Sequence, residues 1–122
     1  MSRILAVEDS GAIRLLLTRR LKLAGHAVET AADGIQAIRK LEDTVPEDRP
    51  ELILLDLTMP QLDGAGTLPS IRRLAPGVPV ILVSAQPDLD RIETSVNVEA
   101  SVPKPIDFDL LNRLIAELTS GA

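Results

Sequence analysis

The sequence contains no cysteine, tryptophan or tyrosine, and Phe108 is the only member of the Phe, Trp and Tyr group. Without cysteine the chain can form neither a disulfide bond nor a thiolate metal site, which fits an intracellular protein. The near absence of aromatic rings removes the platforms on which single-stranded nucleic acids stack. It also removes the aromatic anchors that contribute strongly to many protein interfaces.

Long apolar runs and an excess of positive charge are missing as well. No run approaches the roughly 20 apolar residues of a membrane span, and the first residues lack the apolar core and cleavage site of a signal peptide. The 13 Lys and Arg residues are outnumbered by 18 Asp and Glu residues, so the formal net charge is −5. Because nucleic-acid-binding surfaces need clustered Lys and Arg, we expect no direct nucleic-acid contact. The missing apolar run and signal peptide lead us to expect a cytoplasmic protein without membrane insertion.

The residues that are present suit one globular domain. The chain has 122 residues, of which 45% are apolar and 25% charged, enough to bury a core. Continuous apolar runs at residues 4–7, 52–55 and 80–83 are typical of strands covered on both faces of a parallel sheet. Mixed polar and apolar segments at 26–31 and 98–102 predict edge strands.

Segments with helical periodicity lie between these strands. Gly25 predicts the end of the first helix and Asp107 the N-cap of the last. Proline is tolerated in a first helical turn, so Pro69 predicts a third helix that begins near Thr67. A short, marginal helix is predicted over residues 87–96. The apolar stripes are Ile13, Leu16, Leu17, Leu21 and Ala24; Ile35, Ile38 and Leu41; Leu68, Ile71 and Leu74; and Leu111, Leu114, Ile115 and Leu118. This alternation predicts an α/β fold with a doubly wound, five-stranded parallel sheet.

Polar side chains follow the central strands of the predicted sheet. Glu8 and Asp9 follow the first strand and Asp56 follows the third. Ser84 follows the fourth strand, and the fifth runs towards Lys104. Because ligands of such sheets bind outside the carboxyl ends of the strands, we expect these side chains to converge at one edge.

Each of these residues also has a plain structural interpretation. Asp9 or Ser10 could cap the first helix, and Ser84 could be an ordinary loop serine. Lys104 could be a solvated surface lysine. Asp56 is harder to explain in this way, because a proline and a glycine delay the next helix and leave it nothing adjacent to cap. The shared position of all these groups favours a functional site.

The three carboxylates of Glu8, Asp9 and Asp56 predict a cation site. Two carboxylates about 4 Å apart repel by roughly 4 kcal/mol at an effective dielectric constant near 20. A cluster of three must therefore raise a pKa or bind a cation. A small set of oxygen ligands open to water suits Mg²⁺, and also Mn²⁺, better than Zn²⁺.

The motifs VEDS, LLDLTMPQLDG, VSA and PKP, in this order, closely resemble the receiver domain of two-component response regulators. The resemblance spans essentially the whole chain and implies a flavodoxin-like sheet with strand order 2-1-3-4-5. It implies that residues 1–122 form a single receiver domain, similar to single-domain chemotaxis regulators and without an output domain. It further implies a cytoplasmic switch with at most self-phosphorylation and self-dephosphorylation activity.

The resemblance also implies a role for each site residue. Asp56 would accept a phosphoryl group from a sensor histidine kinase or a histidine phosphotransfer protein. Asp9, Asp56 and the backbone carbonyl of Thr58 would ligate Mg²⁺, and Glu8 would act through water. Lys104 would pair with the phosphoryl oxygens.

Other family positions concern readout and lifetime. Ser84 would donate its hydroxyl to the phosphate, and the peptide bond before Pro105 would be cis. Thr58 and Gln86 occupy positions that tune phosphoryl lifetime in the family. Ser101 stands where receivers usually carry an aromatic residue, so the helix over 87–96 would have to replace that part of the switch.

Phosphorylation is expected to change the face formed by the predicted fourth helix, the fifth strand and the last helix, and so the binding of an unknown protein target. One alternative is a receiver-like binding module that does not switch. Another is a haloacid-dehalogenase-type phosphatase, but that family carries a second acid where this chain has Thr58.

Overall fold

The computed structural model describes residues 2–56, 64–85 and 98–119. The strands are β1 (Arg3–Val7), β2 (Ala27–Ala31), β3 (Leu52–Asp56), β4 (Val80–Ala85) and β5 (Ala100–Lys104). The α-helices of the described ranges are α1 (Gly11–Leu23), α2 (Gly34–Asp43), α3 (Gly64–Leu74) and α4 (Phe108–Thr119), and a 3-10 turn covers Pro46–Asp48. Thr58, Gln86 and the helix predicted over 87–96 lie outside the described residues.

The five strands form one parallel sheet in the order β2-β1-β3-β4-β5. This confirms the predicted fold, including the central runs and the two edge strands. In the register of the sheet, Val7 of β1 pairs with Leu55, and Asp56 pairs with Val83 of β4. The carboxyl ends of β1 and β3 are therefore neighbours, which places the residues after Val7 beside Asp56.

The sheet separates two apolar cores. Alternate residues along a strand point to opposite faces, and β3 is buried along its whole length. The α1 and α4 helices cover one face and α2 and α3 cover the other. Fully burying a Leu or Ile side chain contributes about 1.5–3 kcal/mol, so these two cores hold the strand ends in place.

The predicted caps of α1 and α4 are observed. Ser10, and not Asp9, is the N-cap of α1, because its Oγ accepts a hydrogen bond from the Ile13 amide at 3.3 Å. Gly25 follows α1 with φ = 95°, a left-handed conformation that glycine adopts without steric cost. Asp107 Oδ1 accepts hydrogen bonds from the first amides of α4.

Three details of the helix predictions are wrong. Leu16 is 47% exposed and Ile35 is 43% exposed, whereas Ala37 is fully buried. The buried residues of α2 are Gly34, Ala37 and Leu41. The α3 helix begins at Gly64, so Pro69 lies in its second turn. The burial of Leu68, Ile71 and Ala75 accompanies this longer helix, and it offsets the single backbone hydrogen bond that proline cannot donate.

Candidate functional site

Three carboxylates meet at the carboxyl end of the sheet. Glu8 and Asp9 follow β1, and Asp56 is the last residue of β3. Each offers a carboxylate oxygen, and these oxygens lie within 4.8 Å of one another. Glu8 and Asp56 are 2% and 1% exposed, whereas Asp9 is open to solvent. The cluster therefore has a buried floor and one solvent-facing member.

Lys104, the last residue of β5, supplies a positive charge to this cluster. Its Nζ donates a hydrogen bond to Asp56 Oδ2 at 2.9 Å and lies 3.3 Å from Glu8 Oε1. Its side chain is itself largely buried. Among the described residues, this ammonium group forms ion pairs with two of the three carboxylates, those of Glu8 and Asp56.

The electrostatic cost of the cluster appears in its pKa values. Burial raises the pKa of Glu8 to about 7, and the neighbouring Asp56 and Asp9 add to the rise, although the Ser10 amide opposes it. Burial alone would lower the pKa of Lys104, but its hydrogen bond and charge interaction with Asp56, together with Glu8, outweigh burial and raise it. Lys104 thus stays charged, while Glu8 is only partly ionised near neutral pH.

The loop between β1 and α1 is held by hydrogen bonds that the sequence motifs do not predict. The Ser10 amide donates to Glu8 Oε2 at 3.0 Å. Arg14 Nη1 donates to the backbone carbonyls of Glu8 at 2.8 Å and Asp9 at 3.0 Å. One sequence feature points to Arg14: a cation in the first turn of a helix opposes the helix dipole, so such a residue needs an acceptor elsewhere.

The donor set fits Mg²⁺. All three side chains offer oxygen, the ligand atom that Mg²⁺ prefers, and the described residues contribute no imidazole or thiolate to the cluster. The ionised form of Glu8 is disfavoured by burial and by its acidic neighbours, and a dication would relieve that cost.

Three other predicted positions lie on β4, on β5 or directly after β5. Ser84 lies in β4 opposite Pro103 of β5. Ser101 pairs in register with Leu82. The peptide bond between Lys104 and Pro105 is cis.

Comparison with known proteins decides the family. The sequence model of the response regulator receiver domain family matches residues 4–116. The chain belongs to the receiver domain family. It is a signalling domain of two-component systems, and the resemblance seen in its motifs is confirmed.

Among the described residues, no helix combines the length and apolar character needed to cross a membrane.

The curated relatives are longer than this chain. The CpxR homolog of Haemophilus influenzae, a transcriptional regulatory protein, is 37% identical over the whole chain, which covers 52% of that protein. The response regulator MprA of Mycobacterium leprae is 34% identical over 95% of the chain and 50% of that protein. The receiver domain thus spans about half the length of the curated relatives it matches.

Solved structures share the fold over nearly their full length. The response regulator TrrA of Thermotoga maritima, in complex with Mg²⁺ and BeF, has a TM-score of 0.84 and 30% identity, covering 97% of this chain and 99% of that one. The receiver domain of the sensor histidine kinase PA1611 of Pseudomonas aeruginosa, with Mg²⁺ in its active-site cleft, has a TM-score of 0.85 and 29% identity, covering 98% of both chains.

Proposed function

We propose that this receiver domain is a phospho-accepting switch in which Asp56 is the acceptor. The observation that carries the proposal is the ion pair between Asp56 and Lys104 beside two further carboxylates. A sensor histidine kinase or a histidine phosphotransfer protein would supply the phosphoryl group. An Asp56 carboxylate oxygen would form a bond to phosphorus while the bond between phosphorus and the donor imidazole nitrogen breaks.

The residues of the site divide the work of this transfer. The backbone and apolar core of β3 hold the acceptor at the sheet edge, and Lys104 balances negative charge on the phosphoryl oxygens. We propose that Asp9, Asp56 and the Thr58 backbone carbonyl hold Mg²⁺ directly and that Glu8 holds it through water. When bound, this ion, or Mn²⁺ in its place, supplies charge neutralisation at the transferring group.

The readout is proposed to run from Ser84 to the partner-binding face. Its hydroxyl would bond the phosphoryl group, and Thr58 and Gln86 would tune how long that group persists. A hydrogen bond to a charged group contributes about 1.5–3 kcal/mol, whereas moving a population from 1:99 to 99:1 needs about 5.5 kcal/mol. With Ser101 in place of an aromatic residue, we propose that the segment over 87–96 reorders with β5 and α4 to supply the difference.

Beryllofluoride with Mg²⁺ provides the direct test, because it imitates a phosphoryl group on a carboxylate. We expect amide shifts in the NMR spectrum of the wild type, extending from Asp56 to residues 87–104, and none in Asp56→Asn. Ser84→Ala should bind the mimic while losing the distant shifts. A wild-type spectrum that the mimic leaves unchanged would refute the switch.

Acetyl phosphate separates acceptance from switching. With Mg²⁺, the wild type should gain the mass of one phosphoryl group and Asp56→Asn should not. Modification without distant amide shifts would favour the alternative of a binding module that does not switch. Sustained turnover of generic phosphate monoesters would instead favour a phosphatase.

A further inference from the structure

We infer that Arg14 is a positioning residue that sets the backbone geometry of the acidic pair Glu8 and Asp9 for cation binding. This inference rests on the proposed function, because it concerns the same acidic site. Arg14 itself is not proposed to touch the cation or the phosphoryl group.

The contacts of Arg14 are directed at the main chain of both acidic residues. A single nitrogen, Nη1, donates to the Glu8 carbonyl at 2.8 Å and to the Asp9 carbonyl at 3.0 Å. The side chain is half-buried, and it reaches back from the first turn of α1 across the loop that it follows. Because both acceptors are held by one planar group, the two peptide units that carry the carboxylates are fixed relative to each other.

The loop is anchored independently on its other side. The Ser10 amide bonds Glu8 Oε2, and the Ser10 hydroxyl caps the Ile13 amide. The Glu8 amide also donates to the Ala31 carbonyl of β2. Arg14 therefore completes a frame that holds the main chain of Glu8 and Asp9 while the Asp9 side chain remains open to solvent.

Because Arg14 is positively charged, a charge effect and a positioning effect would change Mg²⁺ affinity in opposite directions. A guanidinium near a cation site disfavours the cation, and a positive charge in a first helical turn opposes the helix dipole. If Arg14 acted through charge alone, removing it would tighten Mg²⁺ binding. If it acts by holding the two carbonyls, removing it weakens binding, as loss of groups that orient metal ligands does.

Arg14→Gln and Arg19→Gln provide a matched pair for this test. Both remove one positive charge from α1, but Arg19 is exposed and only Arg14 holds the loop carbonyls. The dissociation constant for Mg²⁺ is measured from amide shifts during titration. We expect Arg14→Gln to raise it about tenfold relative to Arg19→Gln. An unchanged or lower constant would overturn the inference.

A second measurement without metal separates positioning from general instability. The carbonyl carbon shifts of Glu8 and Asp9 should change in Arg14→Gln and keep their wild-type values in Arg19→Gln, at equal thermal stability. Unchanged shifts would overturn the inference even if affinity fell. If Arg14→Gln does not fold, Arg14→Lys takes its place, since it keeps the charge but loses the planar fork; wild-type affinity and shifts in that variant would overturn the inference.

Asp9→Asn distinguishes failure of the inference from failure of the proposed function. Loss of Mg²⁺ binding in Asp9→Asn, with wild-type affinity in Arg14→Gln, would overturn the role of Arg14 alone. Wild-type affinity in Asp9→Asn would overturn the proposed metal site and the inference together.

Discussion

At the scale of single residues, Glu8 shows that a residue of the site can lower the stability of the folded state. Its side chain is almost fully buried beside Asp56, and both carboxylates share the ammonium of Lys104. Burial and the acidic neighbours raise its pKa to about 7. In the absence of a cation, the folded state is therefore penalised whenever Glu8 is ionised.

This penalty predicts a pH dependence that Glu8→Gln removes. The pKa of Glu8 in the folded state lies above its unfolded value of 4.5. The stability that the protonated Glu8 side chain contributes is therefore complete below about pH 4.5 and is lost as the pH rises through about 7. With a chelator present, the wild type should lose roughly 1–3 kcal/mol of unfolding free energy between pH 5 and 8 relative to Glu8→Gln. Urea unfolding followed by circular dichroism measures this difference.

The matched control for Glu8→Gln is Glu117→Gln on the exposed side of α4. It makes the same chemical change far from the site, so its pH profile should parallel that of the wild type. Parallel profiles for Glu8→Gln and the wild type would contradict the interpretation that Glu8 carries a burial penalty.

At the scale of elements, Glu99 ties the end of α3 to the beginnings of β4 and β5. Its Oε1 accepts a hydrogen bond from the Val80 amide at 2.7 Å and from Arg72 Nη2 at 3.0 Å. Arg72 Nη1 also donates to the Val78 carbonyl at 3.0 Å. The residue before β5 is thereby held against the start of β4, at the end of the sheet opposite the acidic cluster.

Removal of this acceptor should destabilise the fold more than removal of its charge. Arg72 and Glu99 are 28% and 35% exposed, so the ion pair itself contributes little. Glu99→Ala leaves the buried Val80 amide without this acceptor and should cost about 1–3 kcal/mol of unfolding free energy. Glu99→Gln keeps an acceptor oxygen and should cost less than half as much. Equal losses in urea unfolding would show that the charge, and not the hydrogen bond, matters.

At the scale of the whole molecule, Ser2 links the beginning of β1 to the end of the chain's last helix. Its amide donates to His26 Nδ1 at 3.2 Å, and its hydroxyl donates to Thr119 Oγ1 at 3.2 Å. Ser2 is nearly fully buried. Three segments distant in sequence are thus joined at the end of the sheet away from the acidic cluster.

His26 makes this junction sensitive to acid. Burial disfavours the imidazolium and lowers the pKa of His26 below its usual 6.5. The unfolded chain therefore binds the proton more readily, and stability should be lost as the pH falls below about 6.5. Protonation would also prevent Nδ1 from accepting the Ser2 hydrogen bond. The free energy of unfolding of the wild type minus that of His26→Asn should fall over this window.

The difference in unfolding free energy between the wild type and His26→Asn isolates the effect of His26, because both proteins retain Glu8, whose effect on stability has the opposite sign. The two sites lie at opposite ends of the sheet and share no contact in the described residues, so their effects should add. A difference that is constant from pH 5 to 8 would contradict the role assigned to His26.

Much of the architecture is determined by the sequence itself. The runs ILAV, LILL and VILV are long enough to be strands and too apolar to lie anywhere but the centre of a covered sheet. Because parallel strands end at one edge, their order along the chain already predicts that Glu8, Asp9 and Asp56 meet. Their motifs also carry the family resemblance.

The tertiary structure decided the features that depend on register and approach. Hydrophobic periodicity indicates which face of a helix is apolar but not how closely that face packs, so it wrongly predicts that Leu16 and Ile35 are buried. Nor can periodicity pair Lys104 with Asp56, 48 residues away, or Arg14 with two carbonyls, since those contacts require the folded sheet and loop. The sequence determined which groups reach the site, and the packing of the fold decided which of them touch.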